Sequence, residues 1–249
     1  MARRKSLAFL DVGQGDCFVA DTKSGAIIFD GGSSSEDQVG RYRILPYMKY
    51  LGYQKIQIAV ISHMDIDHYS GIKELLEMGK IKYLGLPEIP KDETMKKIIG
   101  IAKKRGTTSF FIFSRGRQIT TKDGSLKVLH PQKNSQMEKN AASLVMQGKI
   151  LGYRVLLTGD VEKEGEEELL SEELERADIL KAAHHGSKNS TSNEFLQKVQ
   201  PKQTVISCGK QNRYGHPHLE TIHRLQTYRT KIYRTDRSGA IIFFKRRDG

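Results

Sequence analysis

The hexapeptide His63-Met64-Asp65-Ile66-Asp67-His68 brings two imidazoles and two carboxylates into six positions, at the end of the apolar run Ile56 to Ile61. In an extended segment the period of two turns His63, Asp65 and Asp67 to one side, and a turn at His68 folds its imidazole back toward them. Imidazole and carboxylate are the ligands of zinc, manganese and iron, and a chain with 2 Cys has too few thiols for a sulfur-rich site. The expected chemistry is therefore that of a divalent metal centre. The plainer alternative, a strand end followed by a charged helix cap, leaves the spacing unexplained.

Three further segments carry reactive side chains just after apolar runs. Val155-Leu156-Leu157 leads into Thr158-Gly159-Asp160, where the glycine permits a sharp turn and the aspartate can bridge two cations; as a tripeptide it also suits a plain turn. Lys181-Ala-Ala-His184-His185-Gly186-Ser187 offers two adjacent imidazoles, of which strand alternation predicts that only one reaches a given metal. Asn212-Arg213-Tyr214-Gly215-His216-Pro217-His218 precedes the last helical pattern and could supply a phosphate contact or an acid.

The elements that must hold these residues alternate from end to end. Strands are predicted at Leu7–Val12, Asp16–Asp21, Ala26–Asp30, Ile56–Ser62, Phe110–Phe113, Leu126–Leu129, Ser143–Met146, Arg154–Leu157, Ile179–Ala183, Thr204–Ser207 and Ala240–Phe244. Helices are predicted at Tyr42–Leu51, Ser70–Glu77, Glu93–Lys104, Glu162–Leu174, Ser192–Val199 and Leu219–Tyr228. No repeat, low-complexity tract or Pro/Gly linker divides the chain, so one α/β domain over residues 1–249 is expected, with two sheets face to face and helices outside. The ligand segments fall after strands, where α/β folds build their sites.

Composition narrows the class of partner. The chain carries 41 Lys+Arg against 29 Asp+Glu, a net charge of +12, and the excess is uneven. Residues 201–249 hold eleven basic against three acidic residues, residues 91–127 hold ten against three, and Glu162 to Glu175 holds eight glutamates and one lysine. A polyanion is the partner such stretches favour: nucleic acid, teichoic acid or an anionic membrane face. Cys17 and Cys208 lie in strand-like segments and read as buried free thiols. No apolar run approaches the roughly 20 residues of a membrane helix, and no signal-peptide core follows Met1, so the chain reads as soluble with its compartment open.

As a set, Asp11-Val-Gly-Gln-Gly-Asp16, Asp30-Gly-Gly32, Ser62-His-Met-Asp-Ile-Asp-His68, Asn140-x-x-Ser143-Leu-Val, Thr158-Gly-Asp160, His184-His-Gly-Ser187 and Gly215-His-Pro217 resemble the metallo-β-lactamase superfamily. Within it they look like the C-terminal domain of ComEC-type DNA-uptake channel proteins. The resemblance implies the α/β (α+β) four-layer αβ/βα sandwich, a metal-dependent hydrolase, and degradation of the DNA strand that is not imported. Read by ligand chemistry, His63, Asp65 and the bridging Asp160 belong to the weaker metal position, and Asp67, His68 and Asp160 with one of His184/His185 to the other. His185 is taken as the ligand and His184 as the spare proton donor beside His216, and Asp67, His184 and His216 form the catalytic set. Asn140, Ser143, Ser187, Arg213 and His216 are expected at the substrate, and Asp11 and Asp16 behind the ligands.

Two departures from the superfamily signature have chemical meaning. Asp65 stands where a second histidine is usual, and Asn140 or Ser143 stands where a third is expected; His130, between His68 and His184, is a weaker candidate. Carboxylate and amide harden one position toward oxygen, which favours two Mn2+ over two Zn2+. Such a pair of sites suits in-line hydrolysis of a phosphodiester. The expected substrate is single-stranded DNA, held by Lys210, Arg213, Arg224, Arg229 and Arg234 or else by the 91–127 stretch with Lys103, Lys104, Arg105, Arg115 and Arg117. A phosphocholine or cell-wall-polymer esterase and a non-catalytic DNA-binding module with a degenerate metal site are the alternatives. ComEC-like domains follow a membrane channel, so a channel is the expected parent chain or partner; the domain would then be extracytoplasmic, and a stand-alone relative cytoplasmic.

Overall fold

The computed structural model describes residues 4–105, 109–137, 139–172 and 174–246, without the side chains of residues 105 and 139. Two seven-stranded sheets face each other. The first contains β1 (Ser6–Phe9), β2 (Phe18–Thr22), β3 (Gly25–Phe29), β4 (Ile56–Val60), β5 (Ile81–Pro87), β6 (Ser109–Phe113) and β14 (Ile241–Phe244), in the order β14-β1-β2-β3-β4-β5-β6. The second contains β7 (Gln118–Thr121), β8 (Gly124–His130), β9 (Val145–Ile150), β10 (Tyr153–Leu157), β11 (Ile179–Lys181), β12 (Gln203–Ile206) and β13 (Lys231–Arg234), in the order β13-β12-β11-β10-β9-β8-β7. Helices α1 (Leu45–Tyr50), α2 (Ile66–Glu77) and α3 (Glu93–Arg105) cover the first sheet, and α4 (Lys163–Leu170), α5 (Asn193–Val199) and α6 (Leu219–Thr227) the second. A last turn, α7 (Thr235–Ser238), precedes β14.

Strand alternation builds three apolar layers out of these four. In β1, Leu7 and Phe9 enter the layer between the sheets with Phe18, Leu126 and Val155, whereas Ala8 faces outward into the layer beneath α2 and α3 with Ile72, Leu75 and Ile98. Leu156 and Leu180 alternate in the same way toward Phe195, Leu196 and Leu225 of the far helices. The αβ/βα sandwich expected from sequence is the observed fold. Both thiols are free and buried. No described helix is long and apolar enough to cross a membrane.

Three strands escaped the sequence pattern. β5 contains Gly85, whose place a Cβ could not share with the ring of Phe113 at 2.4 Å, so its glycine marks close packing rather than a break. β7 and β13 are short sheet edges without a continuous apolar run. Helix α4 stops at Leu170, short of the expected Leu174. The largest revision concerns the hexapeptide: α2 begins at Ile66, four residues before the expected Ser70, so Asp67 and His68 occupy a helical first turn and only His63 and Asp65 lie on extended chain.

The parallel strands place the chemistry on one edge. β3, β4, β5 and β6 run parallel to one another, as do β10, β11, β12 and β13. Their C-terminal ends carry Asp30, His63, Asp160, His184, His185 and Ser207. The two sheets are tied there by Leu144 N donating to Ser62 O at 2.9 Å.

Candidate metal centre

Glycines let three loops meet over the start of α2. A Cβ on Gly32 would lie 2.6 Å from backbone atoms of Asp67 and His68, and one on Gly15 would lie 2.2 Å from Gly32 O. The contact they permit is hydrogen-bonded: Asp16 N donates to Asp67 O at 3.0 Å, Gly31 N to His68 O at 2.8 Å, and Gly32 N to Asp16 O at 3.1 Å. Asp30 completes this frame. Its Oδ1 accepts from Ser62 N at 2.7 Å and its Oδ2 lies 3.0 Å from His68 Nδ1, which fixes both the loop and the imidazole.

Nitrogens and carboxylate oxygens then converge. Asp160 Oδ2 lies 3.2 Å from His68 Nε2, 3.5 Å from His185 Nε2 and 3.8 Å from His184 Nε2; Asp67 Oδ2 lies 3.3 Å from His185 Nε2. Ligands at 2.0–2.2 Å from one tetrahedral ion stand roughly 3.3–3.6 Å apart, so the spacing suits a shared cation. The Nε2 atoms of His63, His68 and His185 are buried without a hydrogen-bond partner. Unpartnered buried nitrogens are costly unless something else binds them, so the residues fit a divalent metal. His63 and Asp65 form the second lobe, with Nε2 to Oδ2 at 3.6 Å and the His63 ring 4.1 Å from that of His68.

Each imidazole is oriented through its other nitrogen. His185 Nδ1 faces Ser207 O at 2.9 Å, His184 Nδ1 faces Glu162 Oε1 at 2.8 Å, and His63 Nδ1 faces Ser62 Oγ at 3.0 Å. Asp16 joins Asp160, His68 and His185 within a cluster whose ligating atoms lie within 4.8 Å of one another. Its oxygens, however, lie 3.7 Å from the Nδ1 edges of His68 and His185, the side away from Asp160. Asp16 thus stands behind the imidazoles, ion-paired with the buried ammonium of Lys181.

Sequence alternation had predicted that one of His184 and His185 turns away. Both instead adopt left-handed backbone, φ 47° and 51°, in a tight turn, and both present Nε2 to Asp160. Gly159, at φ 51°, packs where a Cβ would sit 2.8 Å from Ser62, and Asp160 N donates to Ser143 Oγ at 3.1 Å.

The centre is strongly polarised. Burial works against charge on His68, yet Asp160 and Asp30 on its two edges raise it well above the usual imidazole range. Burial likewise opposes charge on Asp67, but the close approach of His185 and the nearby His68 hold its carboxyl at about 2. The carboxylate field that draws protons onto these nitrogens also attracts cations. His216 is the opposite case: burial, then His185, His184 and His218, push it down to about 4. Its ring lies 5.4 Å from His184 and 6.1 Å from His185, stacked on Tyr214, and Asn212 holds its loop by accepting from His216 N and donating to His216 O.

Other expected positions are placed differently. Ser143 and Ser187 are buried: Ser143 Oγ supports Asp160, and Ser187 Oγ accepts from Asn189 N, so neither is open to a substrate in this arrangement. Asp11 accepts from Gly13 N and shapes that turn. Asn140 lies in a 3-10 turn before β9, its Oδ1 buried and unpartnered. His130 is buried away from the centre, between Ala141 O at 2.7 Å and Glu168 at 3.5 Å. Arg213 is exposed over the Tyr214 ring. The expected 201–249 groove loses two of its cations to the fold: Arg224 donates to Lys188, Ser190 and Thr191 carbonyls, and Arg234 is paired with Asp236. Arg115 is likewise paired with Glu168 and Glu172. Asp30, Glu162 and Lys181 receive no role from sequence alone: Asp30 stands in the Asp30-Gly-Gly32 motif and Lys181 opens the segment that carries His184 and His185, whereas Glu162 is marked only by its place between β10 and α4.

The model of the metallo-β-lactamase superfamily matches residues 10–210. ComE operon protein 3 of Bacillus subtilis is 36% identical over 260 residues, covering 96% of this chain and 33% of that protein. Competence protein ComA of Neisseria gonorrhoeae is 30% identical over 248 residues, covering 96% of this chain and 32% of that protein. The chain thus spans about a third of the length of these relatives. Among solved structures, the metallo-β-lactamase fold protein YhfI from Bacillus subtilis superposes with a TM-score of 0.62 at 13% identity, covering 95% of this chain and 99% of that one. The chain belongs to the metallo-β-lactamase superfamily as a hydrolase of that fold, and over nearly its whole length it is similar to ComEC-type competence proteins.

Proposed function

We propose that residues 1–249 act as one metal-dependent phosphodiesterase domain whose substrate is single-stranded DNA, and that two Mn2+ ions are its cofactors. The observation that carries this reading is the set of buried, unpartnered Nε2 atoms of His63, His68 and His185 around Asp160 and Asp67. His63, Asp65 and Asp160 would hold one ion, and Asp67, His68, His185 and Asp160 the other. When bound, such a pair supplies Lewis acidity and lowers the pKa of an attacking water. The remaining steps belong to the chain. Asp30, Ser207 and Glu162 fix the imidazoles, Lys181 and Asp16 balance charge beneath them, and His216 donates an N–H hydrogen bond to the leaving oxygen. Neutral near pH 7, His216 takes up a proton when an anionic phosphate offsets its three imidazole neighbours and raises its pKa, and that proton can pass to the leaving oxygen.

The names of the competence relatives support DNA uptake as the setting, with a membrane channel as parent or partner. The paired, open arrangement favours catalysis over a structural metal site, which is normally closed by four protein ligands. Metal-stripped protein reloaded with Mn2+ should hydrolyse single-stranded DNA, and Asp160→Asn should not. Binding of DNA without hydrolysis under any divalent ion would overturn the reading in favour of a binding module.

A further inference from the structure

The metal centre is one end of a longer cleft. A cavity of about 390 Å³ begins at His63, Met64 and Asp65 and extends to Ile89, Lys91 and Met137. A second, of about 630 Å³, shares Ile89 and Lys91 with it and continues to Arg117 and Lys133. The order follows from topology: β4, β5 and β6 are parallel neighbours, and their C-terminal ends carry, in turn, His63, then Ile89 and Lys91, then Arg115 to Arg117. Crossing two strand spacings takes roughly 10 Å. That is about three stacked nucleotides at roughly 3.4 Å each.

Charge distinguishes this cleft from the rest of a basic surface. Lys96 is paired with Glu93, and Arg115 with Glu168 and Glu172. Lys91, Arg117 and Lys133 are exposed and have no carboxylate partner among the described residues. They come from three different loops yet line one path. Of the nearby acids, Asp92 caps α3 by accepting from Met95 N at 2.7 Å, and Glu88 lines the second cavity. The floor is Ile89, Met95 and Ile112, without an aromatic platform, so recognition there rests on phosphates rather than stacked bases.

We infer that the cleft from His63 through Lys91 to Arg117 and Lys133 is the track for the phosphate backbone of a single-stranded nucleic acid whose scissile phosphate lies at the metal centre. The placement of that phosphate rests on the proposed function; the track itself can be tested without turnover.

The test is fluorescence anisotropy with a labelled dinucleotide, which carries a single phosphate, and with labelled single-stranded DNA of 16 nucleotides in EDTA buffer, read as binding alone. Wild-type protein should bind the 16-mer more tightly than the dinucleotide. Arg117→Glu with Lys133→Glu should weaken the 16-mer at least tenfold and lower the magnitude of its log–log salt slope by roughly 1.4, two contacts at about 0.7 each. The dinucleotide, too short to span the track, should be little affected. Arg117→Gln with Lys133→Gln should give a smaller loss of the same kind, and Lys210→Glu with Arg229→Glu no length-dependent loss. The inference is overturned by equal losses on both lengths, by a loss no greater than in the Lys210/Arg229 variant, or by tighter binding of polyglycerol phosphate of equal phosphate number. Length-dependent binding without hydrolysis in Mn2+ would keep the track and overturn the nuclease reading.

Discussion

Lys181 Nζ lies 3.5 Å from Oδ1 of Asp160, while the imidazoles of His68, His184 and His185 face Oδ2 of the same carboxylate. One oxygen thus serves the ammonium and the other the proposed metal position. The ammonium also pairs with Asp16 and donates to Gly159 O at 2.9 Å. Burial opposes its charge, but Asp16 and Asp160 raise its pKa above the usual lysine value.

Lys181→Met should therefore lower the stability of the metal-free protein by about 3–5 kcal/mol, because it strands buried carboxylates. Added Mn2+ should restore part of the loss by neutralising the same oxygens. Thermal melts in EDTA and in Mn2+ measure both; an equal loss in the two buffers would place the role of Lys181 in packing.

Metal identity follows from the oxygen-rich lobe at Asp65. Metal-stripped protein should hydrolyse a phosphodiester faster with Mn2+ than with Zn2+. Asp160→Asn should reduce bound metal and lower turnover by more than about 100-fold, beyond what loss of an outer contact causes. Elemental analysis and initial rates check the two effects.

Asp30 offers a graded version of the same experiment. Asp30→Asn keeps the shape but weakens the hold on His68 Nδ1 and should cost roughly 10–100-fold in metal affinity. Titration with Mn2+ after chelation reads this directly, and unchanged affinity would assign Asp30 to the loop alone.

His216→Ala should lower kcat on DNA by about 10²-fold, the scale of a lost proton donor, with metal content kept. The contrast with Asp160→Asn, where metal and rate fall together, separates proton donation from ligation.

A pH-dependent contribution lies away from the centre at Asp178. Burial opposes its charge, but Arg154 N at 3.0 Å, Lys202 Nζ at 3.0 Å and Arg246 hold its pKa below the ordinary value. A depressed folded pKa contributes stability that is complete above the unfolded value near 3.9 and lost as pH falls through the folded one. Asp178→Asn should thus cost about 1–3 kcal/mol at pH 6 and distinctly less at pH 3, measured by urea denaturation.

The ligand types and much of the secondary structure are legible in the sequence by itself, because both are local. Alternation in β1 and β10 and the three-to-four spacing of α2, α5 and α6 are set by which side chains must leave water. The clustering of His63, Asp65, Asp67 and His68 announces metal chemistry before any contact is known. What tertiary structure decided is direction. Asp67 and His68 point to the centre because Gly15 and Gly32 let two loops bond the first turn of α2, which the hexapeptide's own pattern does not encode. Both His184 and His185 face Asp160 because the loop is forced into left-handed backbone, against strand alternation. Charge behaved likewise: eleven cations near the C-terminus suggested a groove there, yet Arg224 and Arg234 are spent on internal carbonyls and Asp236. Lys91, Arg117 and Lys133, distant in sequence, share a cleft because β5, β6 and β8 end at one edge. Local pattern fixes residue type and period, whereas which groups face one another depends on contacts between segments far apart in the chain.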